Sequence, residues 1–277
     1  MTLNCKGTLI DLTKPRVMGV LNLTPDSFYD GGRYKEEKSI LSQTEKMLQE
    51  GATFIDVGAY SSRPGAKDIP VKEELNRIVP VVKLLIKNFP EILISTDTFR
   101  SEVARQCLEE GAALVNDISA GKLDPHMMET VAEARVPYIM MHMQGTPQTM
   151  KEKNTYKDLL EDIRFYFSER IATAKTFGIH DIVIDPGFGF AKNISQNFEL
   201  LRKFALLKTF GVPVLAGLSR KSMIYKVLGI SPDEALNGTT ALNMIALQGG
   251  ANLLRVHDVK EAMECISLYN QLNAPTS

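Results

Sequence analysis

Leu215-Ala-Gly-Leu-Ser-Arg-Lys-Ser-Met-Ile224 is the stretch on which the reading of this chain turns. The apolar run Val212 to Leu215 reads as a buried strand. Ala216 and Gly217 let a partner approach the backbone, and Ser219, Arg220, Lys221 and Ser222 lead into a helical pattern. A strand that ends in glycine and opens a helix presents unsatisfied backbone N–H groups and the positive end of a helix dipole. With Lys221 and Ser222 there, the junction suits an anionic or electron-rich ligand. Taken alone, it reads equally well as an ordinary strand-to-helix loop with a solvated basic pair.

The same alternation recurs along the chain. Short apolar runs lie at Val17 to Leu21, Phe54 to Val57, Ile92 to Ile94, Ala113 to Val115, Tyr138 to Met141, Ile182 to Ile184, Val212 to Leu215 and Leu253 to Val256. Continuous apolar runs suit parallel strands buried on both faces. Helical patterns separate them. Ile40, Leu41, Met47 and Leu48 share a face that Gly51 ends, and Leu75, Ile78, Val79, Val82 and Leu85 share another, with Pro80 marking a kink. Asp124 is placed to cap a helix with Pro125 at its first position. Ser231 with Glu234 forms a capping box, and Asp258 with Glu261 reads the same way. Eight strand–helix units predict an α/β fold, a closed (β/α)₈ TIM barrel, with a doubly wound open sheet as the alternative. Asn4 to Thr13 stands outside the repeat and reads as a short N-terminal hairpin around Gly7, closing one end of the barrel. No linker divides residues 1–277, so one domain is expected.

The totals agree. The chain has 277 residues, a size that one barrel accommodates, and 44% are hydrophobic, enough for a large core. Thirty-two Lys and Arg against 33 Asp and Glu leave a net charge of -1, which predicts no attraction to nucleic acid or membrane. Cys5, Cys107 and Cys265 are odd in number and widely spaced, arguing against a disulfide framework or zinc site and for small core residues in a reducing compartment. With no signal peptide and no apolar run long enough to span a bilayer, a cytoplasmic protein is expected.

What ends each strand carries the chemistry. Asn22, Asp56 with Gly58, Asp97, Asn116 with Asp117, His142, Asp185, Gly217 leading to Lys221, and Arg255 with His257 all fall at strand C-terminal ends. In a barrel those ends converge on the face that holds the active site. Any one of them reads more plainly as a turn or capping residue, but eight in register do not. Asp97 and Asp185 are semi-buried carboxylates suited to a ligand with several N–H donors, such as an aminopyrimidinone ring. The alternative is structural pairing with Lys221, Arg100 or Arg255. Arg255 and His257 read as a phosphate clamp or, alone, as a surface pair. Asn22 is a neutral oxygen ligand that Mg²⁺ accepts when phosphates and waters complete its shell, or simply a turn residue. Loops 23–34 and 59–70 mix small, basic and hydroxyl residues, as mobile lids do and as long surface loops also do. In Asp185-Pro-Gly-Phe-Gly-Phe190, the glycines permit tight turns, and Phe188 or Phe190 offers an aromatic wall. No Walker A or G-x-G-x-x-G motif follows a strand.

Seven motifs in order give these residues a family likeness. They are Met18-Gly-Val-Leu-Asn-Leu-Thr-Pro-Asp-Ser-Phe28, Ser61-Ser-Arg-Pro-Gly65, Ser95-Thr-Asp-Thr98, Val115-Asn-Asp-Ile118, Asp185 to Phe190, Ser219-Arg-Lys-Ser222 and Arg255-Val-His-Asp-Val259. Over nearly its whole length the chain resembles the bacterial dihydropteroate synthases. The resemblance implies an enzyme that joins hydroxymethyl-dihydropterin diphosphate to 4-aminobenzoate in folate synthesis, with Mg²⁺ as cofactor. It implies catalytic roles for Asp97 and Lys221, and a pterin pocket of Asp97, Asn116, Asp185 and Lys221. It places diphosphate at Asn22, Ser62, Arg255 and His257, with the metal at Asn22. It places 4-aminobenzoate at Phe28, Arg63, Pro64, Phe190 and Ser222, in a pocket that admits sulfonamides, and implies a homodimer through the last helices. The chain departs from the family pattern at Tyr60, where a glutamate is usual, and at Ala120 and Ala191, where glycine is common. Two rivals remain. A methyltransferase-type pterin barrel would share Asp97, Asn116 and Asp185 but not Arg255-Val-His257 or Ser219-Arg-Lys-Ser222. A non-catalytic paralogue has Tyr60 as its one hint.

Overall fold

The computed structural model describes residues 1–23, 32–61, 68–150 and 152–274. Two short strands, β1 (Thr2–Cys5) and β2 (Thr8–Asp11), form the antiparallel hairpin expected around Gly7. Eight parallel strands follow: β3 (Arg16–Asn22), β4 (Phe54–Gly58), β5 (Ile94–Asp97), β6 (Leu114–Asp117), β7 (Tyr138–Met141), β8 (Ile182–Asp185), β9 (Leu215–Ala216) and β10 (Leu253–Val256). Their order is β8-β7-β6-β5-β4-β3-β10-β9, and a bridge between Ile184 and Val214 brings the two ends together. The closed barrel, rather than the open sheet, is what forms.

Helices alternate with the strands: α1 (Gly32–Gln49), α2 (Val71–Asn88), α3 (Ser101–Glu109), α4 (Met127–Ala134), α5 (Leu159–Thr176), α6 (Ile194–Arg202), α7 (Ser222–Leu228), α8 (Leu236–Gln248) and α9 (Val259–Leu272). A single helix runs through Pro80. Among the described residues no helix is long and apolar enough to cross a membrane.

Several sequence expectations shift locally. The strand expected at Val212 shortens to two residues because Pro213 has no N–H to give, and the Val214 N–H goes to the Asn252 side chain at 3.0 Å. Asp124 caps no helix at Pro125. One carboxylate oxygen accepts from His126 N at 3.0 Å and the other from Ser101 N at 2.7 Å, at the start of α3. Asp258 does not cap α9, because its carboxylate is taken by Arg220. Ser231 and Glu234 do form their capping box, around a single 3₁₀ turn that precedes α8.

The hairpin plugs the barrel's N-terminal end. Leu3, Cys5 and Leu12 are buried in one cluster with Met18, Phe54, Leu114, Ile139, Val183, Leu215 and Leu253, which lie on the strands. Burial of one such large side chain contributes roughly 1.5–3 kcal/mol. The three cysteines are free and buried, as expected of small core residues, and burial pushes the Cys5 and Cys107 thiols up to about 12. With the N-terminal end filled by apolar side chains, polar groups can collect at the opposite end.

Candidate active site

The strand C-termini bring one charged cluster together. Arg255 on β10 donates from Nε to Asp56 Oδ2 at 2.6 Å and from Nη2 to Asp97 Oδ2 at 2.7 Å. Asn116 Nδ2 reaches the same Asp56 oxygen at 3.1 Å. Strand register accounts for the meeting: Gly58 lies opposite Asp97, and Asp97 opposite Asn116. A Cβ on Gly58 would stand 3.1 Å from Asp97 Cβ, so a glycine there leaves room for the carboxylate. Asp56 is fully buried, and its second oxygen, Oδ1, has no hydrogen-bond partner among the described residues. Two carboxylates thus share one guanidinium. Desolvation, then the charge of Asp56, raises the Asp97 pKa, and Arg255 offsets only part of the rise. For Arg255, desolvation disfavours the charge, but Asp56 and Asp97 more than restore it and hold its pKa above the ordinary value.

A second group stands at the end of β8. Asp185 Oδ1 accepts from Gly187 N at 2.8 Å, and burial raises its pKa against the pull of that bond and of Lys221 and Arg255. A Cβ on Gly217 would lie 3.8 Å from Asp185 Oδ2, an ordinary contact distance, so this position adjoins the carboxylate without crowding it. The chain then turns tightly. Gly187 has φ +73°, and a side chain there would drive into the His142 carbonyl. Phe190 closes the turn with its ring centroid 4.4 Å from Lys221 Nζ, a cation over an aromatic face. Beneath it lies Lys192, 8% exposed, whose Nζ meets Gly187 O at 3.0 Å, Phe190 O at 3.1 Å and His142 Nδ1 at 3.0 Å. Burial pulls the Lys192 pKa down to about 7 despite nearby Asp185.

The Ser219–Ser222 segment divides its labour. Ser219 Oγ accepts from His257 N at 3.2 Å and lies 2.9 Å from His257 Nδ1, so it orients the imidazole. Surrounding protein and the charges of Arg255, Arg220 and Lys221 hold the His257 pKa below the ordinary imidazole range. Arg220, in the left-handed region at φ +54°, gives its guanidinium to Asp258 and Asp233. Lys221 is the N-cap of α7, and Ser222 is its first residue. Of the basic pair, then, Arg220 is structural, and Lys221 faces Phe190.

Asn22 ends β3, opposite Gly58, on the same rim. Phe28, Ser62, Arg63 and Pro64 lie outside the described residues. Tyr60 is built into the rim: its hydroxyl donates to Asp68 Oδ1 at 3.1 Å and accepts from Gln148 Nε2 at 2.7 Å. Its ring packs edge-on to Phe99 with centroids 4.9 Å apart, and the Arg100 guanidinium lies 5.1 Å from its centroid. Sequence reasoning gave no role to Asp56, although a charge inside the apolar run Phe54–Val57 has to find a buried partner. Lys192 and His142 were also missed as a pair, and the polar residue directly after a glycine-rich turn was the available signal.

Residues 18–257 match the family described as pterin binding enzyme. The dihydropteroate synthase of Escherichia coli (strain K12) is 44% identical over 268 residues, covering 96% of this chain and 94% of that protein. The dihydropteroate synthase of Synechocystis sp. is 45% identical over 260 residues, covering 92% and 89%. Among solved structures, the Yersinia pestis dihydropteroate synthase with a sulfonamide drug complex superposes with a TM-score of 0.92 at 40% identity, covering 98% of this chain and 99% of that one. The Xanthomonas albilineans dihydropteroate synthase with 4-aminobenzoic acid gives a TM-score of 0.92 at 38% identity, covering 99% of each. Sequence, fold and rim chemistry agree with these likenesses, and the chain belongs to the pterin binding enzyme family, among the dihydropteroate synthases.

Proposed function

We propose that this protein condenses hydroxymethyl-dihydropterin diphosphate with 4-aminobenzoate, giving dihydropteroate and diphosphate, at the C-terminal rim of its barrel. The observation that carries the reading is the convergence of Asp56, Asp97, Asn116, Asp185, Lys221 and Arg255 at one end of the strands. Buried carboxylates and an amide suit the N–H donors of the aminopyrimidinone ring, so Asp97, Asn116, Asp185 and Lys221 line the pterin pocket. Arg255, His257 and Ser62 take the diphosphate. Phe28, Arg63, Pro64, Phe190 and Ser222 surround the aminobenzoate.

The reaction breaks the bond between the pterin methylene carbon and the bridging diphosphate oxygen. The electron pair leaves with the oxygen, in an SN1-like route through a pterin-methyl cation. The aniline nitrogen then forms the new C–N bond and sheds its proton to solvent. Asp97 stabilises the developing cation, and Arg255 neutralises the leaving group. No strong base is required, so positioning and electrostatics carry most of the rate.

Asn22 fits Mg²⁺ as one neutral oxygen donor at the rim. A cation there would complete its shell with phosphate and water oxygens. When bound, it would supply positive charge to the leaving group.

Ser222→Ala is expected to raise the KM for 4-aminobenzoate roughly tenfold and leave that for the pterin diphosphate nearly unchanged, through loss of one hydrogen bond to a carboxylate. Steady-state kinetics with each substrate varied in turn would check this, and a larger change in the pterin KM would reassign Ser222. The reading includes a cytoplasmic setting, which the free buried cysteines support. It includes a homodimer, which the exposed Leu268 and Leu272 on α9 support. Sedimentation at twice the chain mass is expected, and a monomer would contradict the dimer. For the activity itself, the purified protein with pterin diphosphate, 4-aminobenzoate and Mg²⁺ should form dihydropteroate and diphosphate in equal amounts. Absence of both products would overturn the proposal.

A further inference from the structure

Lys192 lies beneath the rim, behind the residues given to either substrate. A lysine ammonium has three N–H donors and no lone pair. Around Nζ stand two carbonyl acceptors, Gly187 O and Phe190 O, and His142 Nδ1, which accepts when the ring proton is on Nε2. The first two belong to the tight turn after β8, and the third to the residue that follows β7. The His142 backbone is itself fixed, its N–H donating to Asp185 O at 2.9 Å. Its ring packs edge-on to Tyr166, with centroids 4.8 Å apart. The far side of the turn is pinned separately: Asn197 Oδ1 accepts from Gly189 N at 2.7 Å, and Tyr156 donates to Ala191 O at 2.7 Å. What the turn presents to the pocket is the Phe190 ring against Lys221, with Gly189 so close that a Cβ there would lie 3.2 Å from Lys221 Cδ.

We propose that Lys192 is a positioning residue: by drawing in the carbonyls of Gly187 and Phe190 against His142, it sets the Phe190 ring against Lys221 and so shapes the aminobenzoate side of the pocket. This rests on the function proposed above. A long side chain buried under a glycine-rich turn has no solvent contact to gain, and its three bonds all restrain the segment that carries Phe190. His142 then accepts at Nδ1 and carries its proton on Nε2, a neutral imidazole.

Steady-state kinetics of Lys192→Met and Lys192→Gln beside the unaltered enzyme test this. Turnover by the unaltered enzyme tests the condensation itself, so its failure is distinct from failure of the positioning role. Lys192→Met is expected to raise the KM for 4-aminobenzoate about tenfold or more, with the pterin diphosphate KM within about threefold, since small misplacements in a site are costly. Lys192→Gln, which keeps two donors, should recover part of the loss. Unchanged constants, or equal rises for both substrates, would overturn the proposal. A readout independent of folding in the variants is the ¹⁵N spectrum of histidine-labelled unaltered protein. The expected result is an unprotonated His142 Nδ1 with the proton on Nε2, and a proton on Nδ1 would overturn the proposal.

Discussion

Arg255→Met is expected to lower the melting temperature of the ligand-free protein by roughly 10 °C and to reduce turnover below detection. The guanidinium binds two carboxylates, one of them fully buried, and methionine fills similar space without the charge. Removing one partner of a buried ion pair leaves the other uncompensated, at a cost of about 3–5 kcal/mol. In a chain of this size each kilocalorie is worth about 2–4 °C. Thermal unfolding without substrates separates this effect from loss of the diphosphate contact. Adding Asp56→Asn to Arg255→Met should recover part of the stability, because the two residues share a bond. A melting temperature unchanged by Arg255→Met would show that the cluster does not depend on its cation.

Asp97→Asn should do the opposite to stability and the same to catalysis. It removes one of two like charges while Arg255 keeps Asp56, so the fold should hold or gain. Turnover should fall by about 10²–10³, the usual cost of losing one electrostatic contact that strengthens in the transition state. The pH dependence carries a sign. The folded-state pKa of Asp97 is raised by desolvation and by Asp56, so the folded protein holds this proton more tightly than the unfolded chain. Stability must therefore fall as pH rises from the ordinary carboxylate range through the raised value. In Asp97→Asn that component is missing, and its stability curve should descend less steeply than that of the unaltered protein. Superimposable curves would contradict the raised pKa, and full activity would remove Asp97 from the cation-stabilising role.

Much of this was legible in the residues because parallel strands buried on both faces leave continuous apolar runs, and the polar residue that ends each run marks the rim. That logic places Asp97, Asn116, Asp185 and Arg255 at one end, where the strands do put them. It offers Arg255 as a structural partner of Asp97, a pair that forms, but does not foresee that Arg255 also binds Asp56, because which charges meet across a barrel depends on register. It singles out Lys221 and gives Arg220 no role, but does not supply the reason, a positive φ at Arg220 that turns the adjacent residues toward different partners. Asp258 looked like a helix cap by spacing, but a cationic side chain on the neighbouring loop outcompeted the backbone for it. Lys192 could be marked only by its place after a glycine-rich turn, because its partners are backbone carbonyls and a histidine 50 residues away.

Central to this account is that charge fixed at the barrel rim parts the pterin methylene from diphosphate before the aniline nitrogen attacks. Pterin diphosphate labelled with ¹⁸O at the bridging position, incubated with the protein and Mg²⁺ in the absence of 4-aminobenzoate, tests this directly. Reversible cleavage in the closed pocket would let the phosphate oxygens exchange places, so recovered substrate should carry label in non-bridging positions, and Asp97→Asn should slow the exchange in step with turnover. Label that stays wholly in the bridge, in protein that forms dihydropteroate once 4-aminobenzoate is added, would contradict the account and point to direct displacement.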